Sequence, residues 1–209
     1  MKRLTKNTCA LAIALALGAP AAALANGPSF DHVGVGYVNF DFDGESINGY
    51  SVDFEKSLTN NFFIGADYFR VQDSSAASIG GENFSSRVRL GLLNANVGYK
   101  FYNTDTFTIY GAAGFTSIDT NVRITTPDFS INESDSDTGW NAQLGFRTRL
   151  TDSIELDAYV RHIDIDGEDD QLLGISGRFY VTPQLSLGLG YTRIDSDLDY
   201  VSLTARFHF

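Results

Sequence analysis

Thiols are almost missing from this chain: of 209 residues one is cysteine, Cys9, which lies within an N-terminal leader-like stretch. No disulfide framework and no thiolate metal set can therefore be built in the rest of the chain. Histidine is scarce too, at three residues, which limits imidazole chemistry to His32, His162 and His208. Beyond the first 25 residues no run approaches the ~18 consecutive apolar residues of a membrane-spanning helix, and no stretch there holds a helical period for three turns. Positive charge is in deficit, with 15 Lys and Arg against 26 Asp and Glu, a formal net charge of -11. Such a chain does not seek nucleic acid, and no basic patch with interleaved aromatics offsets the balance. A glycine-rich phosphate loop is also missing, since Gly80-Gly81, Asp43-Gly44 and Asp166-Gly167 read as turn punctuation. No cofactor is expected.

The first residues supply what a secretory signal needs. Lys2, Arg3 and Lys6 precede an apolar run from Ala10 to Ala19, and Ala23-Leu24-Ala25 follows as an A-x-A-like cleavage site. Residues 1–25 are expected to leave before Asn26, so that 26–209 form one exported domain. Cys9 lies before the apolar run, which argues against a lipid-anchored cysteine.

Period two runs through nearly all of that domain. Tyr50, Val52 and Phe54 alternate with Ser51, Asp53 and Glu55; Trp140, Ala142, Leu144 and Phe146 alternate with Asn141, Gln143, Gly145 and Arg147. Continuing in this way gives ten strands, at 30–42, 47–57, 62–72, 86–102, 107–122, 137–149, 154–164, 172–181, 185–194 and 199–209. Their connections alternate in character. Short, similar turns (Leu58-Thr59-Asn60-Asn61, Asn103-Thr104-Asp105-Thr106, Leu150-Thr151-Asp152-Ser153, Val181-Thr182-Pro183-Gln184) alternate with mostly longer polar links at 73–85, 123–136 and 165–171. Short turns on one side, long loops on the other and an even strand count predict a single antiparallel transmembrane β-barrel, with the short turns and both termini periplasmic. A soluble sandwich is the competing fold. Against it, the polar face carries charge in mid-strand, and aromatics gather toward both ends of the apolar face, with Phe62, Tyr99, Phe179 and Phe207 at one and Tyr37, Tyr68, Trp140 and Tyr191 at the other. An amphipathic sheet in hydrocarbon must close, because every backbone N–H and C=O there needs a partner.

The last ten residues, YVSLTARFHF, alternate apolar and polar to the final aromatic. On this element above all, the chain resembles the small bacterial outer-membrane barrels of the OmpA/OmpX-like group. The resemblance implies that Val201, Leu203, Ala205, Phe207 and Phe209 form the signal read by the barrel-assembly machinery. It also implies residence in the outer membrane, with its lipid and lipopolysaccharide as partners. The best-known small members have eight strands, against ten counted here.

Parity turns Asp53, Glu55, Asp67, Lys100, Arg147, Arg149, Glu155, Asp157, Arg161, Arg178 and Arg206 toward the lumen. Buried single charges are costly, so acid–Arg pairs are expected there. These would form a rigidifying network or, as the alternative, the charged constriction of a narrow diffusion pore; at ten strands the interior is nearer to filled than to open. His32 and His208 are expected to be neighbours across the closing seam. The densest titratable cluster, with Asp164, Asp166, Glu168, Asp169 and Asp170 around His162, reads as a solvated acidic loop. Two sharper readings of it are a weak divalent-cation site without EF-hand spacing and a rim hydrolase with His162 and Asp164 as general base, drawing partners from Asp41 and Asp43 or Asp195 and Asp197. The leading expectation is a non-enzymatic outer-membrane protein with a structural or surface-interaction role, in envelope integrity or adhesion through acidic loops.

Overall fold

In the computed structural model, residues 27–42, 44–79, 82–194 and 198–209 are described. The leader, Asp43, Gly80-Gly81, Asp195 and Asp197 lie outside them. Ten antiparallel strands form one closed barrel: β1 His32–Phe42, β2 Glu45–Ser57, β3 Phe62–Ile79, β4 Glu82–Asn103, β5 Phe107–Thr125, β6 Ser130–Thr151, β7 Ile154–Ile165, β8 Glu168–Thr182, β9 Leu185–Arg193 and β10 Leu198–His208. Each strand pairs with its sequence neighbours, and β1 closes on β10 in a register that sets His32 opposite His208 and Val33 opposite Phe207. Closure leaves no unpaired edge, the condition for a sheet whose outward face is greasy. That face is apolar along its middle: Val35 is 61 % exposed, Leu189 58 % and Leu203 55 %, whereas His32, one register step from Val33, is 2 % exposed.

The short turns share a device. The second residue of each is a threonine, and its hydroxyl accepts a backbone N–H inside the turn: Thr59 from Phe62 at 3.0 Å, Thr104 from Phe107 at 3.1 Å, Thr151 from Ser153 at 3.2 Å and Thr182 from Leu185 at 3.0 Å. A side chain that mimics the turn's own hydrogen bond explains why the signature recurs. These turns, the N-terminal segment and the last residue all lie at one end of the barrel, here termed the terminal end.

The other end, the hairpin end, differs from the expectation of long irregular loops. Most of 73–85, 123–136 and 165–171 is strand, and β4 and β6 each reach 22 residues. A tilted membrane strand needs about 9–11, so the β3–β4 and β5–β6 hairpins continue as ladders for about 30 Å along the strand beyond that. On β5 β-branched residues recur at every second position, Ile118, Thr120, Val122 and Ile124, and Val122 and Ile124 face Glu133 and Ile131 across the ladder. The acidic cluster is likewise not a loop. Asp164 belongs to β7 and Glu168, Asp169 and Asp170 to β8. Only Asp166 and Gly167 turn, both at positive φ (55° and 85°), the geometry of a tight two-residue hairpin.

Candidate functional site: a cross-braced lumen

The lumen is closed at the terminal end by the chain's own N-terminal segment. Gly27 lies against the Thr104 carbonyl in the β4–β5 turn, while the same segment enters β1 at His32. Residues 27–31 therefore run across the barrel floor. Phe30, 1 % exposed, is the stopper. Its ring centroid is 4.8 Å from that of Phe63 and 5.4 Å from that of Tyr110, edge-on. The Arg147 guanidinium lies 4.1 Å and the Lys100 ammonium 4.4 Å from the ring centre. Two aromatic neighbours and two cations hold one benzyl group, an arrangement in which the ring's electron-rich faces meet positive charge.

Above the stopper stands the first brace. Arg147 on β6 donates to both Glu55 oxygens on β2, Nη1 at 2.8 Å and Nη2 at 3.2 Å, a span across the lumen between strands four apart in the barrel. The same guanidinium donates to Asp157 (2.5 Å) and to the Ser29 carbonyl (2.5 Å), tying the plug to the brace. Beside it, fully buried Glu155 takes Arg178 at 2.9 Å and Arg149 at 3.7 Å, and accepts from the Tyr180 hydroxyl at 3.1 Å. Asp53 takes Arg206 at 2.9 Å and the His32 Nε2 at 2.8 Å. Lys100 differs from the expected acid–base pairing: its ammonium donates to the Ser57 hydroxyl at 3.1 Å and faces Phe30.

A second brace crosses nearer the hairpin end. Arg161 on β7 donates to both Asp67 oxygens on β3 at 2.9 and 3.2 Å. Asp67 also accepts from Asn94 (2.7 Å), whose own oxygen accepts from Thr116 (2.6 Å), and Thr116 accepts from Asn141 (3.0 Å). The two braces are joined along the wall. The Arg161 Nε donates to the Gln143 oxygen (2.8 Å), the Gln143 amide to the Tyr110 hydroxyl (3.1 Å), and that hydroxyl to Asp157 (2.9 Å). Between the braces remains a cavity of about 180 Å³ of mixed lining, with Ser51, Asn96, Ser176 and Ser202 among its polar walls. Toward the hairpin end a cluster of Val38, Phe40, Phe69 and Val71, with Tyr200 stacked on Phe40 at 4.6 Å, narrows the passage.

Sequence parity did not reveal Phe30, Tyr110 or this inner apolar cluster, which all fall on the face expected to be polar. A signal existed for the last: in Tyr37-Val38 and Tyr68-Phe69 the apolar alternation changes phase. His32 and His208 do meet across the seam, ring centroids 5.6 Å apart, and His208 also bonds Ser186 (2.7 Å) and Ser29 (3.1 Å). The His162–Asp164 pair of the hydrolase reading is not formed. His162 faces outward, its ring 4.9 Å from that of Trp140, and its nearest carboxylate is Asp169 at 3.9 Å. Among the described residues no three His, Cys, Asp or Glu side chains converge on one position, so the alternative reading of a divalent site at Asp164–Asp170 finds no assembled ligand set. The reason is the ladder: adjacent acids of β8 alternate faces, which parts Glu168 and Asp170 from Asp169.

The sequence profile of the outer membrane protein β-barrel domain matches residues 8–192. The chain belongs to that family. No curated protein matches it. Among solved structures it is similar to the outer membrane protease OmpT of Escherichia coli, at 9 % identity over 86 % of this chain and 94 % of the other, with a TM-score of 0.53. It is also similar to OprG of Pseudomonas aeruginosa (11 % identity, 88 % and 99 % covered, TM-score 0.46) and to Ail of Yersinia pestis (11 %, 85 % and 95 %, 0.45). At such identities these likenesses concern the fold alone. As a family member, the barrel has the bacterial outer membrane as its setting, with the apolar outer face toward lipid.

Proposed function

We propose that this barrel is a non-enzymatic, non-conducting outer-membrane protein that acts at the cell surface through its projecting hairpins, with both termini in the periplasm. The observation that carries this reading is the Arg147–Glu55 brace locked onto Phe30. A solute or ion would have to displace a buried ring and break a bidentate ion pair that is itself tied to Asp157 and Ser29. Both are costly, because breaking a buried pair leaves a charge without its partner. The strands that project farthest are also where selection could act without disturbing the braces. Inward-facing Glu133, Asp135 and Asp137 make their inner surface acidic. Envelope support or adhesion at that surface fits a rigid, plugged stem.

The cavity between the braces favours a second reading, a narrow pore opened by withdrawal of residues 27–31. Single-channel recording of the refolded chain from residue 26 onward, in a planar bilayer, separates the two. Silence is expected. Stable, reproducible steps would overturn the plugged-stem reading in favour of the pore.

A further inference from the structure

The outward face of the projecting sheet differs sharply from its inner face. Side chains that share the orientation of girdle residues Tyr68, Phe115 and Trp140 include Arg70 and Gln72 on β3, Arg87 and Arg89 on β4, and Arg123 on β5. In this acidic chain four arginines thus gather on one side of three adjacent strands. Asp73, Glu133, Asp135 and Asp137 turn to the other side, and only Asp119, opposite Gly91, shares the face of the arginines. Among the described residues none of the four forms an ion pair with a carboxylate, in contrast to the lumenal arginines.

Register makes the centre of this patch unfavourable as it stands. Arg87 and Arg123 are direct cross-strand partners, and like charges opposite each other repel. Arg89 is held by Gln72 at 2.7 Å and Arg123 by Asn132 at 3.4 Å, both neutral acceptors. The Arg87 Nε is shielded from solvent and has no hydrogen-bond partner. Arg87 and Arg123 line a depression of about 350 Å³ whose remaining walls are small and largely hydroxylated, among them Ser74, Ser85 and Thr125. A guanidinium pair without counter-ion, a donor lacking an acceptor, and a hollow rimmed by hydroxyls describe a receptor for a compact polyoxygen anion.

Its position says which anion. Two to six residues beyond Tyr68 along tilted strands, the arginines stand about 5–15 Å outside the aromatic girdle, on the side that faces lipid rather than the barrel axis. That is the level of the outer-leaflet headgroups. We infer that Arg87 and Arg123, flanked by Arg70 and Arg89, bind a phosphate of a phosphorylated glycolipid headgroup in the outer leaflet, by direct guanidinium contact. The inference depends on the barrel's membrane setting and is independent of whether the lumen conducts.

The test uses the refolded barrel in phosphatidylcholine bicelles, with retained glycolipid counted by native mass spectrometry after detergent exchange. The probes are bisphosphorylated lipid A and the same lipid A stripped of phosphate. The phosphorylated form should be retained at least about tenfold better, and R87Q/R123Q should abolish that preference, since two charge-assisted contacts are lost. Chelation of divalent cations should leave it unchanged. Equal retention of both lipids, or a preference that survives in R87Q/R123Q, would overturn the inference, as would one that disappears on chelation. Displacement by millimolar inorganic phosphate would replace the lipid with a free anion as the ligand. Should R87Q/R123Q fail to fold, R87K/R123K keeps the charge without the fork. Folded, it should show an intermediate preference, and full preference there would refute direct forked contact.

Discussion

Arg147→Met is the substitution that bears hardest on the braced lumen. Methionine keeps most of the side-chain volume, so the cost is electrostatic rather than a cavity. Four acceptors lose their donor: both Glu55 oxygens, Asp157 and the Ser29 carbonyl. They are not stranded equally. Asp157 keeps the Tyr110 hydroxyl at 2.9 Å and Arg178 at 3.8 Å. Among the described residues Glu55 keeps no hydrogen-bond donor, since His32 lies at 3.7 Å, beyond hydrogen-bond reach. Removing one partner of a buried pair costs ~3–5 kcal/mol, chiefly through the charge left behind. With Asp157 still covered, the lower limit of about 3 kcal/mol applies.

The assay is urea unfolding in lipid vesicles, followed by fluorescence of Trp140, the only tryptophan. Glu55→Gln completes a double-mutant cycle. If the stranded carboxylate is the source of the loss, Glu55→Gln should recover part of it when combined with Arg147→Met, with a coupling of about 1.5–3 kcal/mol. A loss below about 1 kcal/mol for Arg147→Met, or additive effects in the cycle, would refute the brace as a stabilising element.

Phe30→Ala should cost ~3–5 kcal/mol as a buried aromatic truncation, and deletion of residues 27–30 should turn a silent barrel into one with measurable conductance in planar bilayers; continued silence would show that the braces alone close it. Gly98→Ala would set a Cβ 2.1 Å from Cζ of Phe63, whose ring lies over that glycine, and should lower stability by ~1–3 kcal/mol by overpacking, read from the same urea curves. Removal of Phe209, proposed as part of the assembly signal, should slow insertion by reconstituted barrel-assembly machinery while spontaneous insertion into thin bilayers stays near its original rate; equal slowing of both would assign Phe209 a structural role instead, through its stacking on Phe54 and the Lys56 ammonium 4.7 Å from its ring centre.

Strand number, closure and which side chains face inward were legible because period two assigns faces without knowledge of partners. The eleven expected lumenal charges, five acids and six bases, do point into the barrel. Who meets whom was not legible. Arg147 is separated from Glu55 by 92 residues, and their meeting depends on barrel diameter and strand stagger, quantities that local pattern does not encode. Hairpin length was hidden for a related reason. Ser, Asn and Asp in 73–85 and 123–136 carry loop propensity, yet pairing with an already formed neighbour outweighs propensity in a ladder. Phe30 was hidden differently: it precedes the first strand, so its burial is a tertiary fact about a floor that exists only once the barrel has closed.

The change of apolar phase at Tyr37-Val38 and Tyr68-Phe69 has a physical meaning beyond the inner cluster. Below it the outward side chains are apolar, as with Val35, Tyr37 and Tyr68, because they face hydrocarbon. Beyond it the outward positions turn polar, with Asn39 bonded to Asn48 at 2.7 Å and Arg89 to Gln72 at 2.7 Å. Meanwhile the inward positions Val38, Phe40, Phe69 and Val71 become apolar and bury one another. A sheet leaving a membrane must make this exchange: water now wets its outside, and its two inner faces must pack like a soluble core. The phase change therefore marks the hydrocarbon boundary to within a residue or two on β1 and β3. Spin labels on cysteines replacing Tyr37 and Asn39 test it through collision rates in bilayers. The label at 37 should be relaxed more by oxygen and the label at 39 more by a water-soluble nickel chelate. Two labels that both favour oxygen would move the boundary outward, place Arg70 in hydrocarbon and undo the assignment of the arginine patch to the headgroup layer.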